Sequence, residues 1–460
     1  MQILFMEERG KPLPIETLPR DELEKIQNKR LRYTLRKAYE TTLFWHEKFD
    51  SLRIKPEDIK NKEDLQKAYR KGLKLDGKEI VTRYQELLPD YVKNNEIGWI
   101  EVQTSGFSGT PKKIRYTIPP TLSNELVSLA YNAGKLFEGD RILLALAFYP
   151  YSSGILATYG MKNYVYKVRF EPEWTTETRM PLSTNEIITK IKNFDPTYLT
   201  TSPSTAITVA NEMLERGLEP SSFNVKRILV GGEPSEKERK EKISKKWSAE
   251  VFDAWATSEA SIFGYECNKH SGMHIAESRI MFSIVNPETL EVLEEKEEGR
   301  PLITMLYDEG ELAGTYLINY QGLGDITKIL DKRGECECGR RFIMVDYPQR
   351  NDEIINIRSV KFNAREPERV YGVKDYFNVE IYSRKSGLTR LEVRIVPERG
   401  YKHEEVEKEV LDAFLSSNPE AYKLLKGGDI TFNFVTPEKL YEGVKVPPGK
   451  KRVLGRMIED

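Results

Sequence analysis

The sequence predicts an α/β protein: a large N-terminal domain on mostly parallel strands with a β-rich lobe, then a small C-terminal α+β domain. Three observations predict it. Short apolar runs such as Arg141 to Ala147 and Val225 to Val230 alternate with amphipathic segments, the pattern of strands buried on both faces. From about 277 to 330 the pattern becomes short strands with turns, as at Asn286-Pro287-Glu288-Thr289 and Asp308-Glu309-Gly310. Finally, Tyr347 to Asp352 reads as a boundary, beyond which strands alternate with one helix from Glu404 to Leu415. The expected domains are therefore 1–349 and 350–460, with a helical leading region over 1–95 and the β-rich lobe over about 277–345.

Taken in order, Leu31, Leu35, Tyr39 and Leu43 recur at four-residue steps, and Pro56 and Asn61 look like helix starts. Trp99 to Val102 and Ile114 to Ile118 read as two strands around a loop. Leu122 to Tyr131 follows as a helix and Arg141 to Ala147 as a strand. Helices over Glu186 to Asn193 and Ser204 to Glu215 flank a strand from Thr197 to Thr200. Val225 to Val230 is a strand that runs into Gly231-Gly232-Glu233-Pro234. Lys237 to Lys246 is an amphipathic helix, and Ala249 to Ala254 a strand again. In a parallel sheet ligands sit off the carboxyl ends of the strands, which here means two loops, 231–233 and 255–259. Val379 to Tyr382, Arg390 to Val396 and Ile430 to Val435 supply the C-terminal strands.

Composition narrows the function classes. The 460 residues carry 71 Lys and Arg against 72 Asp and Glu, so no net field recruits nucleic acid or an anionic membrane. Met1 to Met6 is too short for a signal peptide, and no run of about 18 apolar residues occurs. A soluble, cytoplasmic protein with no membrane or nucleic-acid partner is expected.

One stretch organises the reading: Thr104-Ser105-Gly106-Phe107-Ser108-Gly109-Thr110-Pro111-Lys112-Lys113. Small residues let backbone approach a phosphate, hydroxyls and amides donate to its oxygens, and lysine supplies countercharge. The strands on both sides argue against a Walker-type loop, which opens directly into a helix. An ordinary surface turn has the same composition.

All three cysteines fall into one spacing, Cys267-x6-His274 and Cys336-x-Cys338. Three thiolates and an imidazole suit a closed tetrahedral zinc site, with free reduced cysteines as the alternative. His270 is the other histidine nearby.

In this order, these strings resemble the adenylate-forming, acyl-CoA synthetase superfamily, and within it the phenylacetate-CoA ligase-like branch. Leu35 to Tyr39, Phe44-Trp45, Pro56 to Ile59 and Glu63 to Leu65 are similar to its helical start. Thr104 to Lys112 matches its phosphate loop. Thr201 to Ser204, Gly231 to Pro234, Phe252 to Glu259, Asn286 to Thr289, Gly324-Asp325-Ile326-Thr327 and Arg350 to Glu353 complete the set, across nearly the whole chain. The resemblance implies an AMP-forming acid–thiol ligase. ATP and an acid, expected to be aryl or arylacetic, would give an acyl adenylate and pyrophosphate. Rotation of the small domain would then let CoA displace AMP.

It also implies roles. Glu259 would bind magnesium and, with Lys450, act catalytically; Lys451 is the reserve, because the Pro448-Gly449-Lys450-Lys451-Arg452-Val453 tail is one residue short of the family string. ATP would meet Thr104, Ser105, Gly106, Ser108, Gly109 and Lys112 at its phosphates. Gly231, Gly232 and Glu233 would flank adenine with Trp255 against it, Ser258 would also meet ATP, Asp325 would bind the ribose, and Arg350 would reach the ribose or phosphate. Asp352 would be the hinge. Zinc on Cys267, His274, Cys336 and Cys338 would be structural, and a homodimer is the expected assembly.

The chain departs from the family in four places. Ala256 stands for a glycine, and Phe107 for a small hydroxyl residue. The segment Tyr320-Gln321-Gly322-Leu323-Gly324 is one residue long, and Phe148 to Gly154 is an unfamiliar aromatic loop. Ala256 and Phe107 keep open a degenerate nucleotide-binding homologue; separately, enzymes that transfer AMP to the hydroxyl of a deazaflavin-type coenzyme also resemble this branch, a further alternative.

Overall fold

A computed structural model describes the chain apart from residues 1–9, 105–110, 119–120, 138, 147–153, 158–168, 171–182, 234, 236, 287, 351–353, 358–359, 384–388, 418–421, 423–424, 426–427, 445–452 and 460. It divides into two compact units, one of Met1–Ser235 with Ile243–Pro348 and one of Glu236–Lys242 with Gln349–Asp460.

The first unit begins with helices. Arg20–Thr41 buries Leu23, Leu31, Leu35 and Ala38, the face marked by the four-residue steps. Leu43 leaves that pattern. The helix stops at Thr42, whose hydroxyl accepts the Trp45 N–H and starts a new helix, Leu43–Ser51, and Leu43 is exposed. Pro56 opens only a 3-10 turn, Pro56–Asp58, whereas Asn61 caps the helix Lys62–Arg70 by accepting the Asp64 N–H. Trp45 is fully buried and spends its indole N–H on the Tyr316 carbonyl at 3.2 Å.

A two-stranded hairpin, β1 (Trp99–Gln103) and β2 (Lys113–Thr117), follows. The main sheet then starts with β3 (Arg141–Ala145) and the short β4 (Arg169–Phe170). It continues with β5 (Tyr198–Thr201), β6 (Arg227–Gly231), β7 (Glu250–Thr257), β8 (Ser261–Glu266), β9 (Met273–Ile275), β10 (Ile280–Val285), β11 (Glu298–Met305), β12 (Asp325–Asp331) and β13 (Met344–Val345). Its order is β10-β11-β12-β13-β9-β8-β7-β6-β5-β3-β4. From β4 to β7 the pairings are parallel. From β7 onward they are antiparallel. The β-rich lobe is thus continuous with the parallel half.

Helices Thr184–Phe194 and Pro203–Glu215 border β5, as the amphipathic segments predicted. The first is started by a capping box in which Ser183 and Glu186 satisfy each other's backbone N–H groups. Trp247 fills the space beside Ala206 and donates to its carbonyl at 3.0 Å. Burying side chains of this size contributes roughly 2–3 kcal/mol each, so such positions fix the layers.

The second unit opens its C-terminal run with the two-residue β14 (Gln349–Arg350), then a hairpin of β15 (Ile354–Ile357) and β16 (Val360–Asn363). Its sheet runs β19 (Ile430–Phe434), β18 (Thr389–Pro397), β17 (Val373–Ser383), β20 (Leu454–Glu459). The helix His403–Ser417 packs Val406, Val410 and Phe414 into the same core as Leu391, Val393 and Ile395.

Candidate active site and metal centre

The hairpin β1–β2 presents Lys112 at its open end. The Thr104 N–H donates to the Lys112 carbonyl at 2.9 Å, and the Lys112 N–H donates back to the Thr104 hydroxyl at 3.0 Å. Lower down, the Arg115 guanidinium lies over the Trp99 ring at 3.7 Å, and the Arg115 backbone N–H reaches the Thr315 hydroxyl. Lys112 Nζ then points inward, to the carboxylate of Glu259, to the Tyr320 hydroxyl at 2.9 Å and to the Gly322 carbonyl at 3.1 Å. Three acceptors use the three N–H bonds of the ammonium.

Glu259 sits in the turn between β7 and β8, which the Thr257 hydroxyl closes by accepting the Ala260 N–H at 3.1 Å. The residue is only 4% exposed. Its Oε1 takes both Lys112 and the Tyr320 hydroxyl, the latter at 2.8 Å. Burial pushes the carboxyl up, but the Lys112 charge and hydrogen bond and the Tyr320 donor hold it below its ordinary value. The group is therefore a carboxylate at neutral pH, and an ionised oxygen donor is what a hard divalent cation requires. Tyr320 is raised well above its ordinary value by burial and by the neighbouring Glu259 charge, so it stays a donor. Next door, the Tyr116 hydroxyl donates to the Ser258 carbonyl at 2.8 Å.

A second pair lies on the same sheet. Trp255 is part of β7 rather than of the loop beyond it, since the strand extends to Thr257 before turning back. Its ring packs at 4.6 Å from the Phe263 ring and against Gly264, where an added Cβ would come 3.1 Å from the Trp255 Cβ. The indole Nε1–H donates to Asp325 Oδ2 at 3.0 Å, and Asp325 itself, first residue of β12, is 7% exposed. Ala256, where the family has glycine, lies on β7 and is not among the residues with a left-handed φ, so its Cβ causes no strain. Gly231 ends β6 beside Ala254, and a Cβ there would lie 2.8 Å from the Ala254 carbonyl oxygen. Gly232 follows at φ +82°, a conformation that favours glycine, and Glu233 is half-buried.

The Cys/His spacing closes in space. The ligand atoms of Cys267, His274, Cys336 and Cys338 all lie within 4.8 Å of one another. Cys267 Sγ is 3.9 Å from Cys336 Sγ, and Cys338 Sγ is 3.4 Å from His274 Nε2. His274 Nδ1 lies 3.1 Å from the Phe342 carbonyl, which fixes Nδ1 as the protonated nitrogen and turns Nε2 to the sulfurs. Burial pulls the imidazole down, but hydrogen bonds to Cys336 and Cys338 lift it to about 9. A hydrogen bond from Cys267, and then the His274 pair, drive Cys338 well below the usual thiol value; the same bond and burial push Cys267 up. Three sulfurs and one oriented imidazole at these separations fit a four-coordinate zinc ion. His270 lies outside the four and faces Glu266 at 3.1 Å.

Around this cluster runs a buried ion pair that sequence reading misses. Arg340, whose backbone N–H points to Cys338 Sγ, reaches Glu16 with Nε at 2.7 Å, and both side chains are fully buried. Glu16 also accepts the Tyr265 hydroxyl and the Leu13 N–H. Tyr320 is equally invisible as a partner, although a tyrosine destined for burial needs somewhere to put its hydroxyl.

The structure brings together Thr104, Lys112 and Glu259, and separately Trp255 with Asp325. Ser105, Gly106, Ser108, Gly109, Asp352, Lys450 and its reserve Lys451 lie outside the described residues, as do Phe107 and most of the aromatic 148–154 loop. Arg350 belongs to the second unit, half-buried in a two-residue strand.

No family model matches the chain. It is 25% identical over 367 residues to the phenylacetate-coenzyme A ligase of Aromatoleum evansii, covering 78% of this chain and 77% of that one. To the phenylacetate-coenzyme A ligase of Escherichia coli (strain K12) it is 26% identical over 399 residues, covering 83% and 84%. Among solved structures, a 2-hydroxyisobutyryl-CoA ligase in complex with 2-HIB-AMP aligns at TM-score 0.80 and 19% identity over 99% of this chain and 94% of that one, a likeness of fold. The relatives, with a fold to match, support an adenylate-forming enzyme, an AMP-forming acid–CoA ligase by class. Within that class its sequence is similar to the phenylacetate-coenzyme A ligases, at 25–26% identity. Among the described residues, no helix is long and apolar enough to cross a membrane.

Proposed function

We propose that the chain activates an aromatic acid, aryl or arylacetic, as its acyl adenylate and then passes the acyl group to CoA. The observation that carries this reading is the buried Lys112–Glu259–Tyr320 cluster at the open end of the hairpin. It pairs one phosphate-seeking cation with one cation-seeking carboxylate, the two charges that a metal–triphosphate substrate complements.

In the first half-reaction a carboxylate oxygen attacks the α-phosphorus and pyrophosphate leaves. Lys112 neutralises phosphate oxygens, together with Thr104, Ser105, Gly106, Ser108 and Gly109. Glu259 would hold magnesium, which when bound would offset charge on the triphosphate. Asp325, kept oriented by the Trp255 N–H, accepts hydrogen bonds from the ribose hydroxyls, with Arg350 assisting. Gly231, Gly232, Glu233, Trp255 and Ser258 border the base. Lys450 stabilises charge at the α-phosphate. In the second half-reaction the CoA sulfur attacks the acyl carbonyl and AMP leaves, after the 350–460 domain has turned about Asp352 relative to 1–349. Zinc on Cys267, His274, Cys336 and Cys338 is structural, and the working form is a cytoplasmic homodimer.

The test is ATP–pyrophosphate exchange over a panel of carboxylic acids, with and without CoA, followed by product mass. Exchange dependent on one aromatic acid and an acyl-CoA product is the expected result. Exchange confined to aliphatic acids removes the aromatic substrate. Silence with every acid, or AMP left on an acceptor hydroxyl, overturns the ligase reading.

A further inference from the structure

The Tyr320 hydroxyl has one proton and two acceptors. It lies 2.8 Å from Glu259 Oε1 and 3.0 Å from the Gly322 carbonyl, while it accepts from Lys112 Nζ at 2.9 Å. The ring is fully buried, held by backbone pairing of residue 320 to both Leu75 and Ile303. Gly322 is packed as closely, since a Cβ there would come 2.7 Å from the Tyr320 ring, its hydroxyl and the Gly77 nitrogen. The phenol is therefore fixed in place, and only its O–H bond is free to turn.

Resting on the adenylation reading, we propose that Tyr320 is a positioning residue, which draws part of the Lys112 ammonium away from Glu259 and redirects its own hydrogen bond to Gly322 when Glu259 takes a cation. Two consequences of the geometry support this. Lys112 divides its three N–H bonds among Glu259, Tyr320 and Gly322, so Glu259 has only a share of the ammonium. Once the carboxylate takes a divalent cation, the lysine is repelled towards the phosphates, and Oε1 needs its lone pairs for the metal. The hydroxyl would then lose a partner in a buried place, were the Gly322 carbonyl not already within reach. The rearrangement leaves no hydroxyl proton without an acceptor.

Removing the hydroxyl alone changes this balance. Tyr320→Phe keeps the ring and its packing, but takes one acceptor from Lys112 and one donor from Glu259. The ammonium then commits more fully to the carboxylate, and a cation must separate a tighter pair. The experiment is manganese titration of wild type and Tyr320→Phe with a non-hydrolysable ATP analogue, read by electron paramagnetic resonance, beside the magnesium dependence of exchange. Expected is a roughly five- to tenfold loss of manganese affinity and a matching rise in the magnesium needed for exchange, with KM for the acid unchanged and melting temperature retained. Equal manganese affinity in a folded Tyr320→Phe protein overturns the inference. Should that variant not fold, 3-fluorotyrosine placed at 320 gives a fluorine resonance that shifts on adding the magnesium–nucleotide analogue; a bound nucleotide with no shift overturns it equally. Both binding arms are independent of turnover, so a wild-type protein silent in exchange removes the ligase reading while these results still decide on Tyr320.

Discussion

Trp255 and Asp325 are joined by a buried hydrogen bond, indole Nε1 to Oδ2 at 3.0 Å, that ties the far end of β7 to the first residue of β12. A carboxylate proposed for the ribose is thereby held by a residue proposed for the base. Trp255→Phe keeps an aromatic ring and deletes the donor. The expected outcome is a loss of about 1–2 kcal/mol in stability, because Asp325 keeps its burial without this partner. KM for ATP is expected to rise more than kcat falls; urea unfolding and exchange kinetics check both. An unchanged KM would mean that Asp325 needs no such restraint.

Gly231 allows β6 to end against β7. Gly231→Ala places a methyl 2.8 Å from the Ala254 carbonyl oxygen, a contact that only a shift of backbone relieves. A cost of about 1–3 kcal/mol in stability is expected. Weaker nucleotide binding should accompany it, measured by calorimetry.

The four-ligand cluster predicts one zinc per chain by elemental analysis, and tetrahedral thiolate bands on cobalt substitution. Chelation should lower the melting temperature. Cys338→Ser is expected to abolish binding, since it removes the thiol that lies 3.4 Å from His274 Nε2. A metal-free protein with an unaltered melting curve would refute a structural zinc.

Arg340 and Glu16 form a pair with neither side chain exposed. Arg340→Met leaves a buried carboxylate without its main partner and is expected to cost about 3–5 kcal/mol. Combining Arg340→Met with Glu16→Gln should recover part of that loss, which a double-mutant cycle measures.

Acid stability is expected to depend on Asp308. Burial pushes this carboxyl up, but Arg30 and then Arg279 hold it below its ordinary value. A depressed folded value means that the stabilisation is present above the ordinary carboxylate range and is lost as pH falls through the folded one. Asp308→Asn should flatten the unfolding-versus-pH curve in that acid window and nowhere else.

Much of the fold is legible from sequence where period and punctuation agree. The parallel strands announce themselves as short apolar runs, and the capped helices at Asn61 and Ser183 carry their start signals in the chain. Leu43 misleads because helical spacing continues through Thr42, which ends one helix and caps the next. Trp255 reads as a loop residue because the apolar run of its strand stops at Ala254, yet a bulge between Trp255 and Ala256 lets β7 continue into an antiparallel return. The Cys/His set is readable because rare residues in fixed spacing have few other uses. Tyr320 and the Glu16–Arg340 pair are not, since partners 61 and 324 positions apart are set by tertiary packing alone.

Gly314 passes so close to the Arg115 backbone that no side chain fits between them, and Arg115 and Thr117 are bonded to Thr315 and Leu312 beside it. The base of the hairpin is thus seated on residues 312–315 by close backbone approach at Gly314 and by the hydroxyls of Thr117 and Thr315. That base is a fixed plinth for Lys112, whose own backbone is clasped from the other strand by the N–H and hydroxyl of Thr104.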